Sequence, residues 1–118
     1  MPSVSPNVNL LVIRSPDIHH AVTFYEAMGL SFEKHRHGKG PEHYSTENYG
    51  FVFEIYPAKA DKSTTATRFG FRVTDIDGLV ASIKGIGAEI VSEPSDSEWG
   101  RRAVVRDFDG HTIELLSG

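Results

Sequence analysis

The chain predicts an α+β protein made of two tandem β-α-β-β-β units, and two internal echoes predict it. The first is a glycine standing four residues before a glutamate in an alternating strand. It occurs at Gly50–Glu54 in ENYGFVFEIY and again at Gly110–Glu114 in RDFDGHTIELL, sixty residues on. The second is a helical apolar stripe opened by an aspartate and closed by a glycine, with twelve residues from Asp17 to Gly29 and from Asp75 to Gly87. A period near sixty marks a duplication. Each half holds too little core to stand alone, so the two must share one.

Taken in order, residues 8–14 read as a strand with Val8, Leu10 and Val12 toward the helix and Asn9, Leu11 and Ile13 on the other face. Ser15-Pro16-Asp17 stops it and supplies Asp17 as a helix N-cap. Ile18, Ala21, Val22, Tyr25 and Met28 then recur at helical spacing. Strands are expected at 30–36, 42–48 and 50–56, separated by glycine-containing turns. Residues 57–67 carry no large apolar side chain and read as a linker between a first module, 1–56, and a second, 68–118. The second module repeats the plan. A strand at 68–74 precedes a helix with Ile76, Leu79, Val80, Ile83 and Ile86, then strands at 88–92, 101–106 and 111–116, with a polar loop PSDSEWG at 94–100.

Composition narrows the function classes. A net charge of −4, with no basic run beyond Arg101-Arg102, argues against a nucleic-acid partner. The absence of cysteine removes disulfides, thiol catalysis and thiolate metal ligands together. The opening MPSVSPNVN lacks a signal-peptide pattern, and Leu10–Ile13 is too short to span a bilayer, so the expected setting is cytoplasmic and no membrane partner is expected. No phosphate-binding glycine loop or nucleophile–base spacing is present.

The stretches DIHHAVTFYEAMGL, FEIYP, GFRVTDID and above all WGRRAVVRDFDGHTIEL resemble the vicinal oxygen chelate superfamily of glyoxalase I, bleomycin-resistance proteins, extradiol dioxygenases and fosfomycin-resistance transferases. The resemblance implies paired βαβββ modules forming a cupped eight-stranded mixed sheet with helices outside. It also implies a homodimer, in some relatives with modules exchanged between chains. Metal-dependent relatives place one ligand on the first and one on the last strand of each module. Glu54 and Glu114 match the last-strand positions. The first-strand positions fall on Asn9, if Pro16 is an inserted residue, and on Arg68; without that insertion the former becomes Leu10. A guanidinium has no lone pair and carries charge where a cation would sit.

The expected ligand-binding set is therefore Asn9, His43, Glu54, Arg68, Trp99, Arg102 and Glu114. Arg68 is expected to neutralise both glutamates across one cleft that is also lined by Val52 and Leu11. Alternation puts Tyr44 toward the helix, which turns His43 and Ser45 into the cleft, and an aromatic such as Trp99 on a loop can cover a planar ligand. Arg101 and Arg102 point to opposite faces, and Arg102 is assigned to the cleft. The resulting expectation is a protein that binds a small organic molecule with no cofactor. One alternative is a lyase or isomerase of glyoxalase I type, with a divalent metal on Glu54 and Glu114 and Glu114 moving the proton. Another is a dimeric module whose pocket is filled by its own salt bridges.

Overall fold

A computed structural model describes residues 5–59 and 62–118. Residues 1–4 of the opening stretch and residues 60–61 of the expected linker lie outside the described residues. The element order is β1 (Leu10–Ser15), α1 (Ile18–Ala27), β2 (Glu33–His35), β3 (His43–Asn48), β4 (Phe51–Pro57), β5 (Arg68–Arg72), α2 (Ile76–Gly85), β6 (Glu89–Ser97), β7 (Gly100–Arg106) and β8 (Thr112–Leu116). The strands form two four-stranded mixed sheets, ordered β1-β4-β3-β2 and β5-β8-β7-β6. In each, the first strand of the unit runs parallel to the last.

Both helices begin on the expected aspartate. Asp17 accepts a hydrogen bond from the His20 N–H, and Asp75 accepts one from the Gly78 N–H. Both end before a glycine at positive φ, Gly29 at 107° and Gly87 at 89°. The stripes Ile18, Val22, Tyr25 and Ile76, Val80, Ile83 are buried, as their spacing predicts. Phe24 is also buried, because α1 is touched from a second side: its ring meets Phe108 of the other unit at 5.9 Å.

The two units share one core. Phe53, on the helix side of β4, packs against Phe69 and Phe71 on the helix side of β5, with ring centroids 5.9 and 5.8 Å apart, and α1 touches α2. The faces carrying Glu54 and Glu114 are the opposite ones, turned away from the shared core. The radius of gyration, 15.3 Å, exceeds the roughly 13.5 Å expected of a compact chain of this length. With extents of 50 × 46 × 25 Å, the protein is a slab with both polar faces open.

One expectation about faces is overturned. Ile13 and Ser15 are fully buried, while Leu10 is exposed. Leu11, Ile13 and Ser15 therefore face the helix, and Leu10, Val12 and Arg14 share the face of Glu54. Leu10–Ile13 is an unbroken aliphatic run, so alternation gives no phase there, and a slip of one residue reverses every side chain. A second difference lies in the loop expected at 94–100. β6 runs through it to Ser97, with register shifts between Ile90 and Ser92 and between Ser92 and Ser95. As an edge strand it tolerates Pro94, and the bulges absorb the polar residues.

The units are joined by a buried knot at Asp107. Its Oδ1 accepts hydrogen bonds from the N–H groups of Asp109, Gly110 and His111. Its Oδ2 accepts from the Tyr25 hydroxyl of α1 at 2.5 Å and from His111 Nδ1 at 2.8 Å. Nε2 of His111 meets the Thr64 hydroxyl at 2.6 Å, and that oxygen accepts the Arg14 N–H of β1 at 2.9 Å. Burial alone would push the Asp107 carboxyl up; the hydrogen bonds from His111 and Tyr25 outweigh it and hold it below its ordinary value. Burial, then the adjacent Asp107 charge, raises the Tyr25 phenol well above its ordinary value.

These shifts have opposite acid–base consequences. The Asp107 contribution is present above the unfolded carboxyl value, about 3.9, and is lost as pH falls through the folded one. The Tyr25 contribution is present below the unfolded phenol value, about 10, and is lost as pH rises beyond it. Tyr25→Phe is therefore expected to cost about 1.5–3 kcal/mol at pH 7. Urea denaturation across pH should show the gap between variant and parent narrowing at both extremes, and a gap constant with pH would contradict the assignment.

Candidate functional site

On the second sheet, alternation along β5, RFGFR, places Arg68, Gly70 and Arg72 on the face of Glu114, and β7 adds Arg102. Glu114 Oε1 accepts from Arg68 Nη2 at 3.0 Å, from Arg102 Nε at 3.0 Å, and from Arg102 Nη2. Hydrogen bonds from Arg102 first, then Arg68, hold the Glu114 carboxyl below its ordinary value. Arg72 reaches the carbonyl of Gly118 through Nη1. A cavity of about 580 Å³ opens here, lined among others by Arg72, Arg102, Glu114, Phe71, Leu116 and Trp99.

Trp99 is set by the β6–β7 hairpin, whose two-residue tip is Glu98-Trp99. Ser97 Oγ accepts the Trp99 N–H at 3.3 Å and donates to the Gly100 carbonyl at 2.6 Å. Gly100 has φ 128°, and a Cβ there would lie 1.9 Å from the Ser117 carbonyl oxygen. Glycine at 100 thus lets the hairpin pass the end of β8 and hold the exposed indole at the cavity mouth. Arg101 leaves by the other face, donating from Nε and Nη2 to Asp77 of α2 at 2.7 and 2.9 Å, so Arg102 is the arginine on this face.

The first sheet carries a different chemistry. His43 is 1% exposed and its ring stacks on Tyr56 at 4.1 Å. Its Nε2 lies 3.7 Å from Glu54 Oε2. Arg14 caps the stack, with its guanidinium carbon 5.1 Å from the Tyr56 ring centroid.

The structure thus brings Arg68, Trp99, Arg102 and Glu114 together, and groups Glu54 with His43 on the other sheet. It does not join the two groups. Among the described residues Glu54 forms no ion pair with Arg68, so the expected single cleft with Arg68 between two carboxylates is not formed within one chain. Nor is Arg68 buried: its side chain is 54% exposed, and that of Glu114 is 40% exposed. Asn9 leaves the site altogether. Register pairs Leu10 with Val52 and Arg68 with Thr112, two residues before the Glu54 and Glu114 pairs, which makes Leu10 the counterpart of Arg68 with no insertion at Pro16. Leu11, expected in the cleft, packs against the core by the same slip. Arg72 and Tyr56 were missed, although each lies two residues along its strand from a residue already placed on the face.

The chain belongs to the Glyoxalase/Bleomycin resistance protein/Dioxygenase superfamily, whose model matches residues 7–115. It is 27% identical over 111 residues to an uncharacterized protein of Mycolicibacterium smegmatis, covering 93% of this chain and 92% of that one. Its fold is similar to that of TnmS3, an antibiotic binding protein from Streptomyces sp. CB03234, with TM-score 0.75, 22% identity and 98% of each chain covered. It is also similar to TioX from Micromonospora sp. ML1, with TM-score 0.74, 21% identity and coverage of 95% and 98%.

Members of this superfamily often bind a metal, but the donor set at the corresponding positions here does not fit one. Leu10 offers no donor, Arg68 offers only N–H groups, and Glu114 is already engaged by two guanidiniums.

Because both partners are solvent-exposed, Arg68→Ala should change folding stability at pH 7 by only about 0–1 kcal/mol. Carboxyl NMR titration should show Glu114 moving upward in both arginine variants, and further in Arg102→Ala than in Arg68→Ala. The reverse order would remove Arg102 as the principal partner.

Proposed function

We propose that this protein binds a small, planar organic molecule with an acidic or oxygen-rich edge in the cavity of the second sheet, without a metal at the family's ligand positions. The observation that carries this reading is the composition of that face: the guanidiniums of Arg68 and Arg102 pair with one carboxylate, and Arg72, Arg102 and an exposed indole line the cavity beside it. The surplus positive charge favours an anionic partner, and Arg gives planar, bidentate recognition of carboxylate or phosphate-like groups. The indole supplies a stacking surface. TnmS3, an antibiotic binding protein of the same fold, is consistent with a binding rather than a catalytic role. A cytoplasmic setting fits the cysteine-free chain, and among the described residues no helix is long and apolar enough to cross a membrane.

The binding unit is a homodimer in this reading. β1 and β5 are sheet edges with one neighbour each, and an apolar cavity of about 500 Å³ opens between the units beside Leu11, Phe53 and Phe71. Open edges of this kind invite pairing with another chain. A second copy would cover them and set the Glu54 face of one protomer against the Glu114 face of the other. Sedimentation equilibrium should return twice the 13.0 kDa chain mass, and a monomer at all concentrations would remove this part of the reading.

Trp99 is the only tryptophan, so its emission reports directly on the cavity. A panel of aromatic carboxylates should quench it saturably. Arg102→Ala should weaken binding by roughly 10-fold or more, the scale of one charge-assisted hydrogen bond. Metal-stimulated hemithioacetal isomerisation with no saturable quenching would instead establish the lyase.

A further inference from the structure

None of the six histidines lines the cavity of the second sheet, yet three of them converge. His35 of β2 lies directly across from His43 of β3, and His37 follows two residues later on the same face. One ligating atom from each lies within 4.8 Å of the other two, and the ring centroids are 5.3 to 6.0 Å apart. Alternation sorts the rest of this hairpin by charge. Lys34 and Arg36 sit on the opposite side, both paired with Glu42, at 3.3 and 3.9 Å. The imidazole side carries Glu33 and, from β4, Glu54. Lys34 and Arg36 are thereby kept off the three rings, and carboxylates are placed beside them.

From this arrangement we infer that His35, His37 and His43 form a binding site for a first-row divalent transition ion such as Zn²⁺, away from the family's ligand positions. Two further contacts support it. A ligating imidazole usually holds its other nitrogen in a hydrogen bond to a carbonyl or carboxylate, which fixes the ring and its tautomer. Nδ1 of His43 lies 3.3 Å from the Pro41 carbonyl oxygen, and its Nε2 faces Glu54 at 3.7 Å and the Tyr56 hydroxyl at 3.3 Å, long contacts that a metal ion can replace. Nε2 of His35 lies 3.0 Å from Glu33 Oε2, leaving Nδ1 free. Tetrahedral Zn–N bonds of about 2.0–2.1 Å require ligand atoms roughly 3.4 Å apart, so each ring moves inward by less than about 1 Å. Two of the ligands sit on a paired strand and the third on the adjoining turn, which gives one rigid side and one adaptable side. Three imidazoles leave a fourth position for water or a ligand oxygen.

The competing cluster, Asp107, Asp109 and His111, is not equivalent. Asp107 already accepts five hydrogen bonds, and His111 is held at both nitrogens by short bonds of 2.8 and 2.6 Å, against 3.3 Å at each nitrogen of His43.

The test uses untagged full-length protein, stripped with chelator and titrated at fixed pH with Zn²⁺ by calorimetry and with Co²⁺ by its visible absorption. One equivalent should bind, and Co²⁺ should give the intense bands of a four-coordinate nitrogen site. His35→Gln and His37→Gln, at half-buried and exposed positions, should retain the fold and lose at least about 100-fold in affinity, more than an outer-shell partner is worth. Asp109→Asn should bind as the parent does. In proton NMR the Cε1–H signals of all three histidines should shift together at one equivalent. No saturable binding, or binding that survives the His35→Gln/His37→Gln double variant, would overturn the site. Neither result bears on quenching of Trp99 by organic ligands, so the two readings fail separately.

Discussion

The fold turns on one buried carboxylate. Asp107 closes its own turn through three backbone N–H groups, clasps α1 through Tyr25, and orients His111, which in turn holds Thr64 and through it β1. An ionised carboxylate at 5% exposure is tolerable only when every lone pair is used, and here five donors use them. Because one partner lies 82 residues away in sequence, the contact fixes the relation of the two units and not merely a local turn. Each unit is too small to be stable alone, so this relation is a condition of folding. The Thr64–His111–Asp107 chain has the connectivity of a hydrolytic triad. Its hydroxyl, however, is engaged by the β1 backbone and its imidazole is fully buried, so it is a structural tie.

That tie decides where chemistry is available. With the helix-bearing faces of both sheets largely committed to a common core, the opposite faces present the polar side chains that could meet a ligand. The two have the same strand plan and different side chains. At matching register Leu10, Val12 and Arg14 on β1 stand against Arg68, Gly70 and Arg72 on β5. Gly70 removes a side chain where Val12 keeps one, and a Cβ there would come within 3.0 Å of the Glu114 carbonyl oxygen. The first face has become aromatic and imidazole-rich, the second rich in guanidinium. A duplicated backbone has thus been given two chemistries.

Much of this was legible in the residues. The aspartate caps, the glycine stops and the glutamate echoes carry their own physical reasons, and each stands where it was placed. The phase of β1 was not legible, because four consecutive aliphatic residues satisfy either face and only packing against Ile18 and Tyr25 chooses. That one-residue slip accounts for Asn9 and Leu11 together. The polar residues of PSDSEWG read as loop because an edge strand with bulges needs no apolar face. Convergence of Glu54 and Glu114 was inferred from symmetry alone. Symmetry says that the two are equivalent, and it says nothing about whether they face each other. Arg72 and the His35–His37 spacing are visible as simple alternation, although neither falls at a family ligand position.

The replacement of a metal position by Arg68 has an energetic meaning beyond the loss of a ligand. A divalent ion held by carboxylates polarises a substrate, whereas a guanidinium supplies charge and directional N–H groups without an open coordination site. It can bind and orient an anion but cannot act as a Lewis acid. Here the ion pairs are also solvent-exposed, so releasing Arg102 or Arg68 from Glu114 costs on the order of 1 kcal/mol or less. Under the proposed binding role, a ligand anion displaces Glu114 from its arginines at little expense. In that role Glu114 keeps the arginines arranged in the unliganded protein. A buried, fully saturated carboxylate such as Asp107 could not serve this way, because removing either partner would strand a charge in the core. The protein thus uses acidic residues rigidly where the units join and loosely on the open face of the second sheet.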